Sequence, residues 1–389
     1  MSAAPGPIYT PVELLARLVS FDTTSSKNNL GLIAFVEDYL AQHRIASRRI
    51  VSSDGEKASL YATIGPADEG GVALSGHTDV VPVEGQQWTS DPFTLRADDG
   101  KLYARGSADM KGFLAAALAA VPDYKTRRLN KPIHLAFSYD EEVGCIGVRP
   151  MIAELGKDLP KPRMVIVGEP TSMRVVDAHK GPVRWQVDVK GRAAHSSMAH
   201  LGVNAVTYAT RLISELERIE EELKQRVLDV RFEPPYSTLQ VTTIEGGTAT
   251  NIVPVACTFV FDIRALPGLE PDEIETRLRR YAEKRCLPEM HAIAPEADIH
   301  IERVNAVPPF GAERTSEVVA LALKLTGQNE TYGVSYGTEA GLFQEAGAPA
   351  VVCGPGSIAQ AHTADEWIDE SQIAQCMLFL DRLGDWAEG

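Results

Sequence analysis

Short apolar runs separated by helical patterns constrain the fold of this chain more than any other feature. Four of these runs are typical of strands that are buried on both faces of a sheet. They lie at residues 72–75, 133–139, 164–167 and 350–353. Because such runs alternate with helical patterns over the first 180 residues, the chain is predicted to form an α/β fold, a mostly parallel mixed sheet flanked by helices.

The segment 181–304 has a different pattern. It consists of a strand, a long helix, two strands, a second helix and a last strand, which predicts a compact α+β insert. Its strands are predicted at residues 183–189, 238–244, 257–263 and 298–303. A helix at 315–325 follows, and the run at 350–353 rejoins the first sheet. The predicted main domain is therefore discontinuous, comprising residues 1–180 and 305–389.

The net charge and the apolar runs exclude several classes of partner. A formal charge of -15 at pH 7 would repel nucleic acid and anionic membranes. The longest apolar run, 113–121, is far shorter than the roughly 20 residues that span a bilayer. The N-terminal MSAAPGPIYT lacks a basic region followed by an apolar one. We therefore expect no nucleic-acid or membrane partner and a cytoplasmic location.

The cysteines limit the metal chemistry that is open to the chain. There are five, widely spaced and without a CxxC pair, which argues against a disulfide framework and against a thiolate zinc site. Any bound metal must therefore have histidine and carboxylate ligands.

Histidines and acidic residues follow predicted strands or flank glycine turns in five short segments, GHTDVVP, RGSADMKG, DEEVG, GEPT and AHTADEW. The residues are His77, Asp79, Asp109, Glu141, Glu142, Glu169 and His362. Taken singly, each is explained equally well as a solvated loop residue or a cap. Together they predict one site, because open α/β sheets bring the residues that follow their strands into a common crevice.

Local geometry suggests different roles for these residues. In HTD, alternation along an extended segment puts His77 and Asp79 on one face, so that Asp79 can orient the imidazole without binding metal. Asp109 precedes a helical run and is either a ligand or an N-cap. Glu141 and Glu142 point in different directions if extended, so that one can bind metal while the other faces the reacting water.

Two histidines and several carboxylates suit zinc, cobalt or manganese. Two adjacent ions need a shared carboxylate, and Asp109 is central in the order of the motifs. His77 and Glu169 would then bind one ion, and Glu142 and His362 the other. The sequence by itself leaves this partition open.

These motifs resemble those of the dinuclear-zinc aminoacylase and carboxypeptidase superfamily over nearly the whole chain. The similar segments are GHTDVVP, ARGSADMKGFLA, EEVG, GEPT and GRAAHS. The resemblance implies two divalent ions, zinc or cobalt, with Asp109 bridging them and Glu141 as general base. It also implies a homodimer formed through a ferredoxin-like insert, 181–304, that serves as dimerisation and lid domain.

The resemblance implies roles for further residues. His195 of GRAAHSS would enter the partner's active site and stabilise the oxyanion. The residues expected to hold the substrate are Asn251, Arg264, Gly337 and Thr338, the last two at its α-carboxylate. A turn cap at Asn251 and a strand ion pair at Arg264 are the simpler alternatives.

One departure from the superfamily pattern bears on specificity. Members that act on succinyl or glutamyl groups usually carry an arginine in a TSDGR-type stretch, where this chain has TEAGL and Leu342. The loss of that cation disfavours a substrate with a second carboxylate. Glu339 supplies a negative charge instead and is predicted to favour an ornithine amine, directly or through water. A helix-start acid is the alternative.

The resemblance implies that the reaction is hydrolysis of the acetyl amide of a small molecule, N2-acetyl-L-ornithine. Other hydrolases of the superfamily stay open, namely a succinyl-diaminopimelate desuccinylase, a dipeptidase or a general N-acyl amino acid amidohydrolase. A non-catalytic amino-acid-binding relative is an alternative from another class. A nucleotide-dependent enzyme is disfavoured, because neither a GxGxxG segment after a strand nor a GxxxxGK[ST] loop occurs.

Overall fold

A computed structural model describes residues 6–66, 70–313 and 315–389 of the chain. The fold divides into two compact units. The first comprises Met1–Ala178, Gly311–Tyr332 and Thr338–Gly389, and the second comprises His179–Phe310 and Gly333–Gly337. The first five residues of MSAAPGPIYT lie outside the described residues.

The strands and helices follow one another along both units. The strands are β1 (Ser47–Val51), β2 (Ala58–Ile64), β3 (Val72–His77), β4 (Arg96–Asp98), β5 (Lys101–Tyr103), β6 (Ile133–Ser138), β7 (Met164–Pro170), β8 (Val176–His179), β9 (Gly181–Lys190), β10 (Thr238–Gly246), β11 (Ala256–Ala265), β12 (Asp298–Ala306), β13 (Phe310–Gly311), β14 (Tyr332–Val334), β15 (Ala350–Gly354) and β16 (Trp367–Asp369). The α-helices are α1 (Pro11–Val19), α2 (Leu30–Gln42), α3 (Lys111–Thr126), α4 (Val148–Glu154), α5 (Ala205–Arg226), α6 (Asp272–Tyr281), α7 (Leu287–His291), α8 (Glu317–Thr326), α9 (Ala340–Glu345) and α10 (Glu370–Glu388).

A mixed sheet with the strand order β1-β2-β6-β3-β7-β15-β8-β13 organises the first unit, and β14 pairs with β8. β3 pairs in parallel with β6 and β7, and β7 pairs in parallel with β15. β2 is antiparallel to both β1 and β6, and β8 is antiparallel to β15. The predicted α/β fold is confirmed, and four central strands, β6, β3, β7 and β15, pair in parallel. β1 and β2 are joined by a short connection, which only an antiparallel pair allows.

The four apolar runs identified in the sequence form these central strands. Every residue of β3, β6, β7 and β15 is buried, as expected of parallel strands that are covered on both faces. The helices α1, α3 and α10 pack together and share one apolar core with the sheet. Among the described residues, no helix is both long and apolar enough to cross a bilayer.

A small three-stranded sheet, β16-β5-β4, lies in the same unit. β16 and β5 are antiparallel, with Trp367 opposite Tyr103 and Asp369 opposite Lys101. The segment that precedes β16 therefore runs beside the segment that follows β5. These two segments carry His362 and Asp109, respectively.

The second unit has a four-stranded antiparallel sheet in the order β10-β11-β9-β12. With α5 between β9 and β10 and α6 between β11 and β12, this is the βαββαβ order of a ferredoxin-like fold. α5 buries Leu212, Leu216 and Ile219 on one face, because residues spaced by three or four share a side of a helix. The predicted α+β architecture is confirmed for this segment.

Candidate metal centre

His77 is the last residue of β3 and is 1% exposed. Its Nδ1 lies 3.0 Å from the backbone oxygen of Asp79. Because a carbonyl oxygen only accepts, Nδ1 carries the hydrogen, and Nε2 is the ring atom left to face a ligand. That Nε2 lies 3.1 Å from Oδ1 of Asp109.

Asp79 is also buried, and its carboxylate has more partners than the sequence suggested. Its Oδ1 is 3.5 Å from Nδ1 of His77, so that the ring is oriented mainly by the Asp79 backbone carbonyl. The carboxylate accepts the Ser25 hydroxyl at 2.7 Å. It also accepts the backbone N–H groups of Glu141 at 3.2 Å and Glu142 at 3.4 Å. Asp79 thus connects the end of β3 with the segment that follows β6.

Asp109 precedes α3, which begins at Lys111 and has no side-chain cap. Its Oδ1 lies 3.1 Å from Nε2 of His77, and its Oδ2 lies 3.3 Å from Nε2 of His362. The two carboxylate oxygens therefore face two different imidazoles. This is the arrangement that a carboxylate bridging two cations requires.

Glu141 and Glu142 lie at a tight turn and not in the extended segment for which their divergence was considered. The N–H groups of Gly144 and Cys145 both donate to the backbone oxygen of Glu141, at 2.9 and 3.0 Å. The side chains nevertheless diverge. Glu142 is 3.1 Å from Nε2 of His362, whereas Oε1 of Glu141 accepts the Cys145 thiol at 3.3 Å.

Glu169 lies near the end of β7 and is buried. Its Oε1 is 3.8 Å from Nε2 of His77 and has no hydrogen-bond partner among the described residues. A buried carboxylate oxygen without a donor is costly. A cation at this position would satisfy it, so this oxygen fits a metal ligand.

Two groups of side chains could each hold a metal ion. They are His77 with Glu141 and Glu169, and His77 with Asp109 and Glu142, and the ligand atoms within each group lie within 4.8 Å of one another. His362 adds its Nε2 to the second group through its contacts with Asp109 and Glu142. The structure therefore brings together all seven residues that the motifs singled out.

Burial and neighbouring charges shift the pKa values of several groups in this cluster. Burial, reinforced by the charge of Asp109, raises the pKa of Glu142 to about 7 and that of Glu169 well above its usual range. Hydrogen bonds to Asp109 and Glu142 raise the pKa of His362 to about 10. A divalent cation would stabilise the ionised carboxylates and displace the proton from the imidazole.

Four of the other predicted residues lie in the second unit, among them His195, Asn251 and Arg264. His195 is exposed, and its Nδ1 is 2.7 Å from the Ser197 hydroxyl. It lies beside the turn of Asn251, because the Ser196 N–H donates to the Asn251 backbone oxygen at 2.9 Å. Arg264 on β11 donates from Nε to Oδ1 of Asp262 at 2.9 Å. This is the ion pair within a strand that was the simpler alternative to a substrate contact.

The segment 337–339 links the two units. Gly337 packs so closely that a Cβ there would lie 2.4 Å from Cδ of Pro182. Thr338 is fully buried and accepts the Ala340 N–H at 3.1 Å.

Glu339 is 1% exposed, and its carboxylate accepts the hydroxyls of Ser75, at 2.9 Å, and Ser138. Each of its oxygens accepts one hydroxyl and has room for one further donor. The expected contact with an ornithine amine, directly or through water, stays a prediction.

Several contacts at the site have no signal in the sequence motifs. Ser25 holds Asp79, and Ser75 and Ser138 hold Glu339 from neighbouring strands. Glu366, four residues after His362, is buried beside the Asp109 segment. A serine or a glutamate beside a motif is too common to single out without the pairing of the strands.

Comparison with known proteins identifies the class to which this fold and site correspond. Residues 73–384 match peptidase family M20/M25/M40, and the chain belongs to that family. It resembles the M20 family metallo-carboxypeptidase Sso-CP2 of Sulfolobus solfataricus, with a TM-score of 0.75, 20% identity and coverage of 98% of this chain and 99% of that chain. At this level of sequence identity, the similarity shows that the two proteins share a fold.

Several relatives with higher sequence identity to this chain are acetylornithine deacetylases. The acetylornithine deacetylase of Myxococcus xanthus is 36% identical over 373 residues, which cover 95% of each chain. The acetylornithine deacetylase of Proteus mirabilis is 35% identical over 94% of this chain and 93% of its own length. The chain is thus a hydrolase of the M20 family whose similar relatives include acetylornithine deacetylases.

Proposed function

We propose that this protein removes the acetyl group from N2-acetyl-L-ornithine, giving L-ornithine and acetate. The observation that carries the proposal is the position of Asp109, whose two oxygens face the Nε2 atoms of His77 and His362. The name shared by relatives that match nearly the whole chain supports the choice of substrate.

The cluster fits two divalent cations, with zinc as the favoured metal and cobalt as a substitute. His77, Glu169 and one oxygen of Asp109 would hold one ion, and Glu142, His362 and the other oxygen of Asp109 the second. The unpartnered Oε1 of Glu169 supports this fit. Two such ions, when bound, lower the pKa of a bound water towards about 7 and polarise the acyl carbonyl.

Glu141 is proposed as the general base, because its carboxylate belongs to the same cluster as His77 and Glu169. It accepts a proton from the attacking water and delivers it to the departing amine. The Asp79 carboxylate holds Glu141 in place by accepting its backbone N–H, and the Asp79 backbone oxygen fixes the tautomer of His77. His195 is proposed to donate a hydrogen bond to the oxyanion.

The substrate would be held by Asn251, Arg264, Gly337 and Thr338. Glu339 would favour the ornithine amine, directly or through a water molecule, with a carboxylate that Ser75 and Ser138 hold in place. Leu342 is 8% exposed and supplies no cation for a second carboxylate. These features favour a cationic over an anionic substrate side chain.

A homodimer formed through 181–304 is also proposed, with His195 acting in the partner's site. The second unit exposes large apolar side chains, among them Met198, Leu201 and Ile244. β10 is an edge strand whose last residues are exposed, and exposed edges and apolar surfaces favour association. A cytoplasmic location is proposed because all five cysteines are buried and unpaired.

Mixing two inactive variants tests this arrangement. In a hybrid dimer of Glu141→Gln and His195→Ala chains, one of the two sites contains both native residues if His195 acts across the dimer. We expect activity to return when the variants are unfolded, mixed and refolded together. No return of activity in verified hybrid dimers would place His195 in its own subunit's site or outside catalysis.

A substrate panel tests the proposed reaction. The wild-type protein is assayed with N2-acetyl-L-ornithine, N-acetyl-L-methionine, N-succinyl-diaminopimelate and a dipeptide, in the presence of zinc or cobalt. We expect the highest kcat/KM with acetylornithine. A higher kcat/KM for the succinylated substrate or the dipeptide would contradict the proposal in favour of another hydrolase of the family.

A further inference from the structure

Glu366 is a buried acid that the proposed reaction does not use. It precedes β16, follows His362 by four residues and is 1% exposed. Its backbone oxygen accepts the Ala104 N–H at 3.0 Å and so continues the pairing of β16 with β5. Its side chain is thereby fixed beside the segment that ends at Asp109.

The carboxylate of Glu366 accepts four hydrogen bonds. Oε1 accepts the backbone N–H groups of Ala108 at 2.9 Å and Asp109 at 3.1 Å. Oε2 accepts the Gly106 N–H at 2.9 Å and Nη1 of Arg105 at 2.8 Å. Three of the four donors are thus main-chain groups of the segment that carries Asp109.

The same network extends to the backbone of the His362 segment. Nη1 of Arg105 also donates to the Thr363 backbone oxygen at 3.3 Å. Gln86 donates from Nε2 to the His362 backbone oxygen at 2.9 Å, and its own Oε1 accepts Nη2 of Arg105. Arg105 therefore connects Glu366 with the backbone on the His362 side.

We infer that Glu366 is a positioning residue, which holds the Asp109 and His362 segments at the spacing that the metal centre requires. The inference rests on the proposed metal centre. Without the Glu366 carboxylate, the Asp109 segment would lose three main-chain hydrogen bonds that help to set the separation of 3.3 Å between Oδ2 of Asp109 and Nε2 of His362. Residues that orient metal ligands in this way typically contribute 10- to roughly 100-fold to metal affinity.

The alternative is that Glu366 only compensates the charge of Arg105, which is also buried. Breaking a buried ion pair destabilises a fold wherever it lies, so a loss of stability would not distinguish the two roles. Metal affinity distinguishes them, because charge compensation alone leaves the ligand spacing unchanged in the folded protein.

The substitution Glu366→Gln separates these roles. It keeps the shape of the side chain but replaces one accepting oxygen with a donating amide, which opposes backbone N–H groups at 106 or at 108–109. Asp177→Asn is the matched control, since Asp177 is a fully buried carboxylate of the same unit that lies on β8 and accepts the Thr331 hydroxyl at 2.7 Å.

Zinc alone is titrated calorimetrically into metal-stripped wild type, Glu366→Gln and Asp177→Asn, after circular dichroism has shown that each is folded. We expect affinity for at least one ion to fall by about 10- to 100-fold in Glu366→Gln and to stay near wild type in Asp177→Asn. The absorption spectrum of the cobalt-loaded Glu366→Gln protein should also change, since the ligand geometry shifts.

Unchanged zinc affinity in folded Glu366→Gln, beside a wild type that binds zinc, would overturn the inference and leave the proposed metal centre intact. A wild type that binds no zinc would instead refute the centre itself. If Glu366→Gln does not fold, hydrogen exchange in the metal-free wild type decides. The amides of Gly106, Ala108 and Asp109 should be protected, and rapid exchange at all three would overturn the inference.

Discussion

The substitution Glu141→Gln tests whether the carboxylate of Glu141 is the general base of the proposed reaction. Glutamine keeps the volume of the side chain and an oxygen for the Cys145 thiol, which lies 3.3 Å from Oε1. It also keeps the backbone N–H that donates to Asp79. What it removes is the basic oxygen within the cluster of His77 and Glu169. The expected defect is therefore in proton transfer rather than in folding.

General acid–base catalysis contributes about 10²- to 10⁴-fold to rates, which corresponds to about 3–5 kcal/mol in the activation free energy. We expect kcat for acetylornithine to fall by this factor in Glu141→Gln and in Glu141→Ala, while KM changes little. Elemental analysis should find the same metal content as in the wild type. A near-normal kcat in metal-loaded Glu141→Gln would refute Glu141 as the base.

Four further measurements test other parts of the account. Zinc affinity of the metal-stripped protein should rise with pH between about 6 and 8, because the pKa of His362 is raised to about 10 and its proton must leave when metal binds. Calorimetry in buffers of different ionisation enthalpy measures the released protons, and finding none would contradict this prediction. Asp79→Asn should lower kcat/KM by about 10- to 100-fold, because it replaces one of the oxygens that accept the N–H groups of Glu141 and Glu142, and equal kinetics to wild type would contradict the role of this carboxylate in holding Glu141. Glu339→Gln should raise KM for acetylornithine more than for acetylmethionine, and an unchanged ratio would exclude a role in selectivity. Leu135→Ala, at a fully buried position of β6, should cost about 2–5 kcal/mol in the free energy of unfolding, and a loss below about 1 kcal/mol would place that side chain outside the packed core.

The parts of the fold that the sequence predicted are those where a local pattern decides the outcome. The central strands are continuous apolar runs, because they are buried on both faces. The pairing direction of the outer strands depends on the length of their connections and on packing, and the sequence analysis identified neither β2 nor β8. The stripe on α5 was visible because helical spacing appears directly in the sequence.

The candidate site was predicted from residue types at strand ends, whereas its finer geometry depends on distant contacts. The turn at Glu141 is set by the main chain and by Asp79, which is 62 residues away. The burial of Glu339 depends on Ser75 and Ser138, 264 and 201 residues away. Glu366 reaches Asp109 only because β16 pairs with β5. Motif spacing contains none of these relations.

A zinc titration of the metal-stripped protein, with acetylornithine hydrolysis followed at each addition, tests the central claim most directly. Hydrolysis should be absent without metal and should reach its maximum as up to two ions bind to each chain. Full hydrolysis by the stripped protein in the presence of chelator, or no hydrolysis with both sites filled, would contradict the account.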